Sequence, residues 1–156
     1  MELTTALDTS GHGSPEIWDQ CLPMTDYVML CLKGMDLDLA SFLSGVSKWK
    51  NIRAREFAHY IRDKFKDVKL SLRWVLLKDM TDTDQEIEAL AEFAKTLSPV
   101  FTHIELLPYH TLGKNKYDMI GMEYPLGDME PYQYDDAVKV QEKLIKLGVP
   151  AVLAEH

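Results

Sequence analysis

Apolar residues along the chain fall into two alternating rhythms. Tyr27-Val28-Met29-Leu30-Cys31-Leu32 is a continuous apolar run of strand length, a pattern that predicts a strand buried on both faces. Val68 to Leu77 is another aliphatic-rich strand and Ile104 to Leu107 a further one. Leu3 to Leu7 is short and β-tolerant, closed by Asp8-Thr9-Ser10-Gly11. Between these runs the spacing changes to threes and fours. Ala54, Phe57, Ala58, Ile61 and Phe65 make one helical stripe, and Ile87, Leu90, Ala91, Ala94 and Leu97 a second. Ala137, Val140, Leu144 and Leu147 make a third.

Turn and cap residues punctuate the same units. Ser14-Pro15-Glu16 reads as a helix start, with serine as N-cap and proline in the first helical position. A short helix around Asp38 to Leu43 ends at Gly45, and Thr83-Asp84-Gln85-Glu86 is a capping box. The last helix starts near Asp135 and stops at Gly148, and Pro150 to Leu153 could add a short edge strand. Strand followed by helix, four times, predicts right-handed crossovers and a parallel sheet. The expected fold class is therefore α/β, with four βα units in one domain spanning residues 1–156. Four strands form an open sheet or an arc of a barrel, not a closed barrel, and leave two edges to be covered.

Composition narrows the function classes. With 156 residues and 46% apolar content there is material for one core. A net charge of −8 and a pI near 5.0 argue against nucleic acid and anionic membrane surfaces as partners. No apolar run approaches the ~18 residues of a membrane span, and Met1-Glu2-Leu3-Thr4-Thr5 has no signal-peptide pattern. Cys21 and Cys31 show no CxxC spacing, so neither a disulfide framework nor a cysteine metal site is expected, and both read as small buried hydrophobes. His12, His59, His103 and His156 show no metal-ligand spacing. The default setting is a reducing cytoplasm.

In parallel α/β folds, functional groups gather at the carboxyl ends of the strands. Those ends carry Asp8-Thr9, then Cys31-Leu32-Lys33; the third strand carries Arg73 and the fourth delivers Tyr109-His110. A carboxylate, an ammonium, a guanidinium and an imidazole on one rim suit a zwitterionic or anionic small molecule. Each also has a purely structural reading. Asp8 could make an Asx turn, Lys33 a solvated strand end, Arg73 an internal ion pair, and His110 a loop.

The segments LDTSG, VMLCLKGM, LSGVS, LRWVLL and ELLPYHTLGKNKY, in that order and spacing, resemble the C-terminal two-thirds of a glycyl-radical-enzyme activase. Within that group the chain is most similar to the pyruvate formate-lyase activating enzymes of the radical S-adenosylmethionine (SAM) superfamily, from about Leu3 to Gly148. The resemblance implies a partial (β/α)6 TIM-like barrel that places SAM and a [4Fe-4S] cluster at the strand ends. It implies reductive cleavage of SAM to a 5′-deoxyadenosyl radical, which takes hydrogen from a backbone glycine of the partner enzyme. By matched position, Asp8 and Thr9 resemble residues near the amino-acid part of SAM. Lys33 and His110 resemble groups holding its carboxylate and ribose region, and Arg73 an arginine that steadies the same ligand.

The departures carry as much weight. The family's CxxxCxxC cluster motif and its glycine-rich GGE-type segment are absent; in the family both belong to the first two strands, ahead of the segments matched here. Two cysteines cannot supply the three thiolates a cluster needs, and Cys31 stands where similar sequences carry a carboxylate. The isolated chain is therefore expected not to cleave SAM. Three readings stay open: the C-terminal part of an activase acting on a glycyl-radical enzyme such as pyruvate formate-lyase; a non-catalytic SAM-rim or partner-binding module; and an unrelated small hydrolase using Asp8 and His110. The third lacks a GxSxG elbow. An N-terminal half supplied in trans, or self-association, could cover the open edges, and Met119, Met122, Tyr124 and Tyr132 either pack the loop Tyr117 to Tyr134 or form a docking surface.

Overall fold

The computed structural model describes residues 3–154. Met1, Glu2, Glu155 and His156 lie outside it, and with them the start of the N-terminal stretch and one of the histidines discussed above. In chain order the elements are β1 (Ala6–Thr9), α1 (Pro15–Cys21), a 3-10 turn (Leu22–Met24), β2 (Tyr27–Leu32), α2 (Leu37–Ser44), α3 (Lys48–Lys64), β3 (Lys69–Leu76), α4 (Asp84–Lys95), β4 (Phe101–Pro108), α5 (Lys114–Met119), α6 (Tyr134–Lys146) and β5 (Ala151–Leu153). All neighbours pair in parallel in the order β1-β2-β3-β4-β5. The four βα units are present, and the tail adds the fifth, edge strand.

Crossovers that are right-handed and always step in the same direction lay their helices on one face of the sheet. Burial follows that rule. Val28, Leu30, Leu32, Leu70, Leu72, Trp74, Leu76, Ile104 and Leu106 are buried, and share one hydrophobic core with Phe57, Ala58 and Ile61 of α3, Ile87 and Leu90 of α4, and Leu144 of α6. The alternate positions Tyr27, Met29, Cys31, Arg73, Val75, Glu105 and Leu107 are only half-buried. This corrects the expectation for β2: its apolar run is not covered on both faces but alternates between buried and half-buried positions among the described residues. The result is an arc of a barrel with an open inner face.

Several boundaries differ from the sequence reading for local reasons. β1 begins later and continues through Thr9, because Ala6 to Thr9 pair with Tyr27 to Leu30, so Asp8 is a strand residue and not part of a turn. Ser14 precedes α1 but makes no side-chain cap. Asp36 caps α2, its Oδ1 accepting from the amides of Asp38 and Leu39 at 2.9 Å each, and Gly45 closes that helix at φ 70°. Thr83 accepts from the Glu86 amide at 3.3 Å, but the reciprocal half of the capping box is missing, because the buried Glu86 side chain reaches another loop. Helix α5 lies in what had read as a polar loop.

Gly11 turns the chain after β1 at φ 73°, and a Cβ there would sit 2.8 Å from Leu30 Cδ1 and 3.1 Å from Ala54 Cα. Gly45 has a similar φ but open space around it. Gly45→Ala should cost about 1 kcal/mol from backbone strain alone. Gly11→Ala should cost clearly more, because α3 must also move away from β2. Urea unfolding of the two variants checks this, and equal losses would refute the close-approach argument.

Candidate functional site

The inner face carries a three-residue ion cluster built by strand register. Cys31, Arg73, Glu105 and Val152 are aligned across β2 to β5. Arg73 Nε donates to Glu105 Oε2 at 2.7 Å, and its Nη1 donates to Asp8 Oδ2 at 2.7 Å. The Arg73 and Glu105 side chains are each 25% exposed and Asp8 53%, so the cluster is partly screened by water. Two carboxylates on one guanidinium leave a net charge of −1. The structural reading of Arg73 holds, since it is ion-paired, and it lies on the open face. Glu105 is the residue that sequence reasoning missed. It sat in the quoted segment, but only register reveals that it faces Arg73.

Lys33 extends the same face one step past β2. Its ammonium lies 2.9 Å from Cys31 Sγ, so the thiol takes the place where a carboxylate would have formed an ion pair. The loop behind Lys33 is clamped from the helix layer. Glu86, 4% exposed, accepts from the Met35 amide at 2.6 Å and the Asp36 amide at 2.7 Å. Arg55 Nη2 donates to the carbonyls of Gly34, at 3.2 Å, and Met35. Burial lowers the Arg55 pKa, while the nearby charges of Glu86 and Asp36 act in the opposite direction.

The other candidates are less closely gathered. Thr9 lies on the opposite strand face from Asp8, and its Oγ1 accepts from the Gly11 amide at 3.0 Å, shaping the bend that follows. His110 follows β4 at the exposed rim, where its Nδ1 accepts from the Leu112 amide at 3.3 Å. The carboxylate that a hydrolase would give to His110 is ion-paired to Arg73 instead. Beyond the rim, a cavity of about 270 Å³ lies between Lys33 and Phe42 on one side and Tyr109, Tyr117, Tyr124 and Leu126 on the other. The α5 segment is folded down onto it. Tyr109 and Tyr124 hydroxyls meet at 2.7 Å, Tyr117 packs edge-on to Tyr124, and Lys114 pairs with Asp128 at 2.9 Å. Burial, then the Tyr109 hydrogen bond, push the Tyr124 hydroxyl up to about 12. Tyr132 donates to Asp82 at 2.8 Å. Tyr117, Tyr124 and Tyr132 pack this loop down, whereas Met119, Met122 and Tyr134 stand exposed.

As a donor set, the inner face offers Lys33 to a carboxylate and Asp8 with Glu105 to a cationic group, which fits one side of a zwitterion such as SAM. It does not fit an iron–sulfur cluster. Cys21 is exposed on α1, Cys31 is on β2, and among the described residues no group of three or more His, Cys, Asp or Glu is placed to hold a metal. Nor is any helix of the described residues long and apolar enough to cross a membrane.

Comparison with known proteins was informative at two levels. No family model matches the chain. The pyruvate formate-lyase 1-activating enzyme of Escherichia coli K12 is 38% identical over 146 residues, covering 92% of this chain and 57% of that protein. The pyruvate formate-lyase-activating enzyme of Clostridium pasteurianum is 33% identical over 144 residues with the same coverage. The chain thus spans a little over half the length of these relatives. Among solved structures, a domain of pyruvate-formate lyase-activating enzyme from Bacteroides vulgatus superposes with a TM-score of 0.73 at 19% identity, covering 98% of this chain and 82% of that one. A radical SAM methyltransferase from Sphaerobacter thermophilus gives 0.64, also at 19% identity, covering 96% of this chain and 39% of that one. These two show a shared fold.

If Arg73 holds the inner face together, Arg73→Met should destabilise the chain by roughly 1–2 kcal/mol, between the values for exposed and buried pairs. Asp8→Asn should cost less. Adding Glu105→Gln to Arg73→Met should recover part of the loss, since one uncompensated carboxylate is removed. Denaturant unfolding of the double variant checks the coupling, and strict additivity would exclude it.

Proposed function

We propose that this chain, homologous over 92% of its length to pyruvate formate-lyase activating enzymes, is the C-terminal portion of a glycyl-radical-enzyme activase. In this reading the complete enzyme uses SAM and a [4Fe-4S] cluster to abstract hydrogen from a backbone glycine of a partner such as pyruvate formate-lyase. The observation that carries it is the 38% identity over 146 residues, covering 92% of this chain. The parallel arc with its open inner face supports it, as does a solved activase domain of the same fold.

SAM supplies the radical chemistry when bound; this chain's residues bind and orient it. Lys33 and His110 hold its carboxylate and ribose region. Asp8 and Thr9 meet its amino-acid part, and Arg73 acts by fixing Asp8 and Glu105 rather than as a bare cation. The cluster's thiolates come from a cysteine-rich segment outside these 156 residues, whose own two cysteines cannot supply them. That segment would add strands beside β1, whose four residues form an unpaired edge. A second reading, a non-catalytic SAM-rim or partner-binding module, is favoured by one observation: the thiol of Cys31 faces Lys33 where a carboxylate would complete an ion pair.

Two outcomes are expected. Given iron, sulfide, a reductant and SAM, the isolated chain releases no 5′-deoxyadenosine above a no-protein control; release would overturn the assignment of the cluster to another segment. In calorimetry, SAM binds weakly, and Lys33→Met weakens it about tenfold, the effect of one lost charge-assisted contact. Binding unchanged in that variant would remove Lys33 from the site.

A further inference from the structure

Next to Lys33, a second cavity of about 400 Å³ opens between the ends of β1 and β2 and the α2–α3 pair. Ser10, His12, Lys33 and Arg55 line it, with Asn51 at its wall and no aspartate or glutamate among its lining residues. On a chain of net charge −8 a cavity whose ionisable walls are basic is a local inversion of the overall field. No ion pair to Lys33 occurs among the described residues, and the Arg55 charge is offset only in part by Glu86 and Asp36. Lys33 contacts only a thiol, and Arg55 commits one nitrogen, Nη2, to two loop carbonyls. A guanidinium carries five N–H donors, so most of its donor capacity remains for a ligand. Asn51 is different: its amide is satisfied by Ser44 Oγ and the carbonyls of Val46 and Ser47, and it builds the wall only.

We propose that this cavity is an oxyanion site, taking the phosphate or carboxylate of a small molecule on Lys33 and Arg55, with the Ser10 hydroxyl and His12 ring as further hydrogen-bonding groups. The Glu86 clamp preorganises it from behind, because the loop that carries Lys33 and receives Arg55 is fixed before any ligand arrives. Burial already disfavours the Arg55 charge more than Glu86 and Asp36 restore it, and a bound anion would supply that compensation. Ser10 and His12 are themselves in contact, ring nitrogen to hydroxyl at 3.2 Å, so one anion can meet both. The site does not depend on the SAM reading: it shares Lys33 with that rim but draws its other contacts from the β1–α1 turn and from α3.

The test is a backbone-amide NMR titration of the isolated chain with inorganic phosphate and, separately, acetate. Saturable shifts confined to Ser10–Gly13, Gly34 and Arg55 are expected, and the anion that binds more tightly identifies the headgroup. Arg55→Gln should weaken that binding about tenfold, and His12→Ala should weaken it less while leaving SAM binding as in the parent chain. Because Arg55 also holds the loop, a poorly folded Arg55→Gln leaves the decision to His12→Ala, whose side chain is exposed. Three results overturn the proposal: no saturable shift with either anion, shifts unchanged in the folded variants, or a parallel loss of SAM binding in His12→Ala, which would make the cavity SAM's own carboxylate pocket.

Discussion

Everything in this fold follows from crossovers that all step in one direction. A doubly wound sheet reverses direction partway and receives helices on both faces. Here the order β1 to β5 never reverses, so the helices gather on one side and the other side is left without cover. That constraint decides which half of each strand is core. It also sets the only place where charge can sit within a strand at modest cost. Arg73, Glu105 and Asp8 occupy that face, close enough to satisfy one another and open enough to stay hydrated.

The second organising element is a single buried carboxylate. Glu86 comes from α4, yet its oxygens cap backbone amides in the turn after β2, more than one element away in sequence. Arg55 of α3 grips the carbonyls of the same turn. A turn held by its amides from one helix and its carbonyls from another has few ways to move. Lys33 at its start therefore projects from a fixed base, and both cavities at the rim share that base.

Periodicity made the helices and the order of strands legible, because helical stripes and aliphatic runs arise from burial on one side. It misread β2, since a run such as Tyr27 to Leu32 is equally apolar whether its second face meets protein or lies half-open; only the absence of a covering layer distinguishes the two. Asp8 could be read as a strand-end site residue or, since Thr9-Ser10-Gly11 follows it, as an Asx turn, and parallel pairing with Met29 puts it in the strand. Glu105 and Glu86 were beyond reach for a common reason. Their partners lie 32 and 50 or more residues away, and no local pattern encodes such a separation. Glu86 even looked committed to its own helix cap. The short α5 was hidden by glycine and lysine, and its one tyrosine, Tyr117, packs against Tyr124 beyond the helix rather than forming a helical stripe.

The open inner face has an evolutionary side. A position such as Leu72 or Leu106, fully buried under helices, is filtered by folding itself, since a lost methylene is felt at once. Cys31, on the other face of the neighbouring strand, is only half-buried, so folding constrains it less. Its side chain can change from carboxylate to thiol with little consequence for packing. The two faces of one sheet thus sit under unequal packing constraint, and the inner one tolerates substitution more readily than the outer.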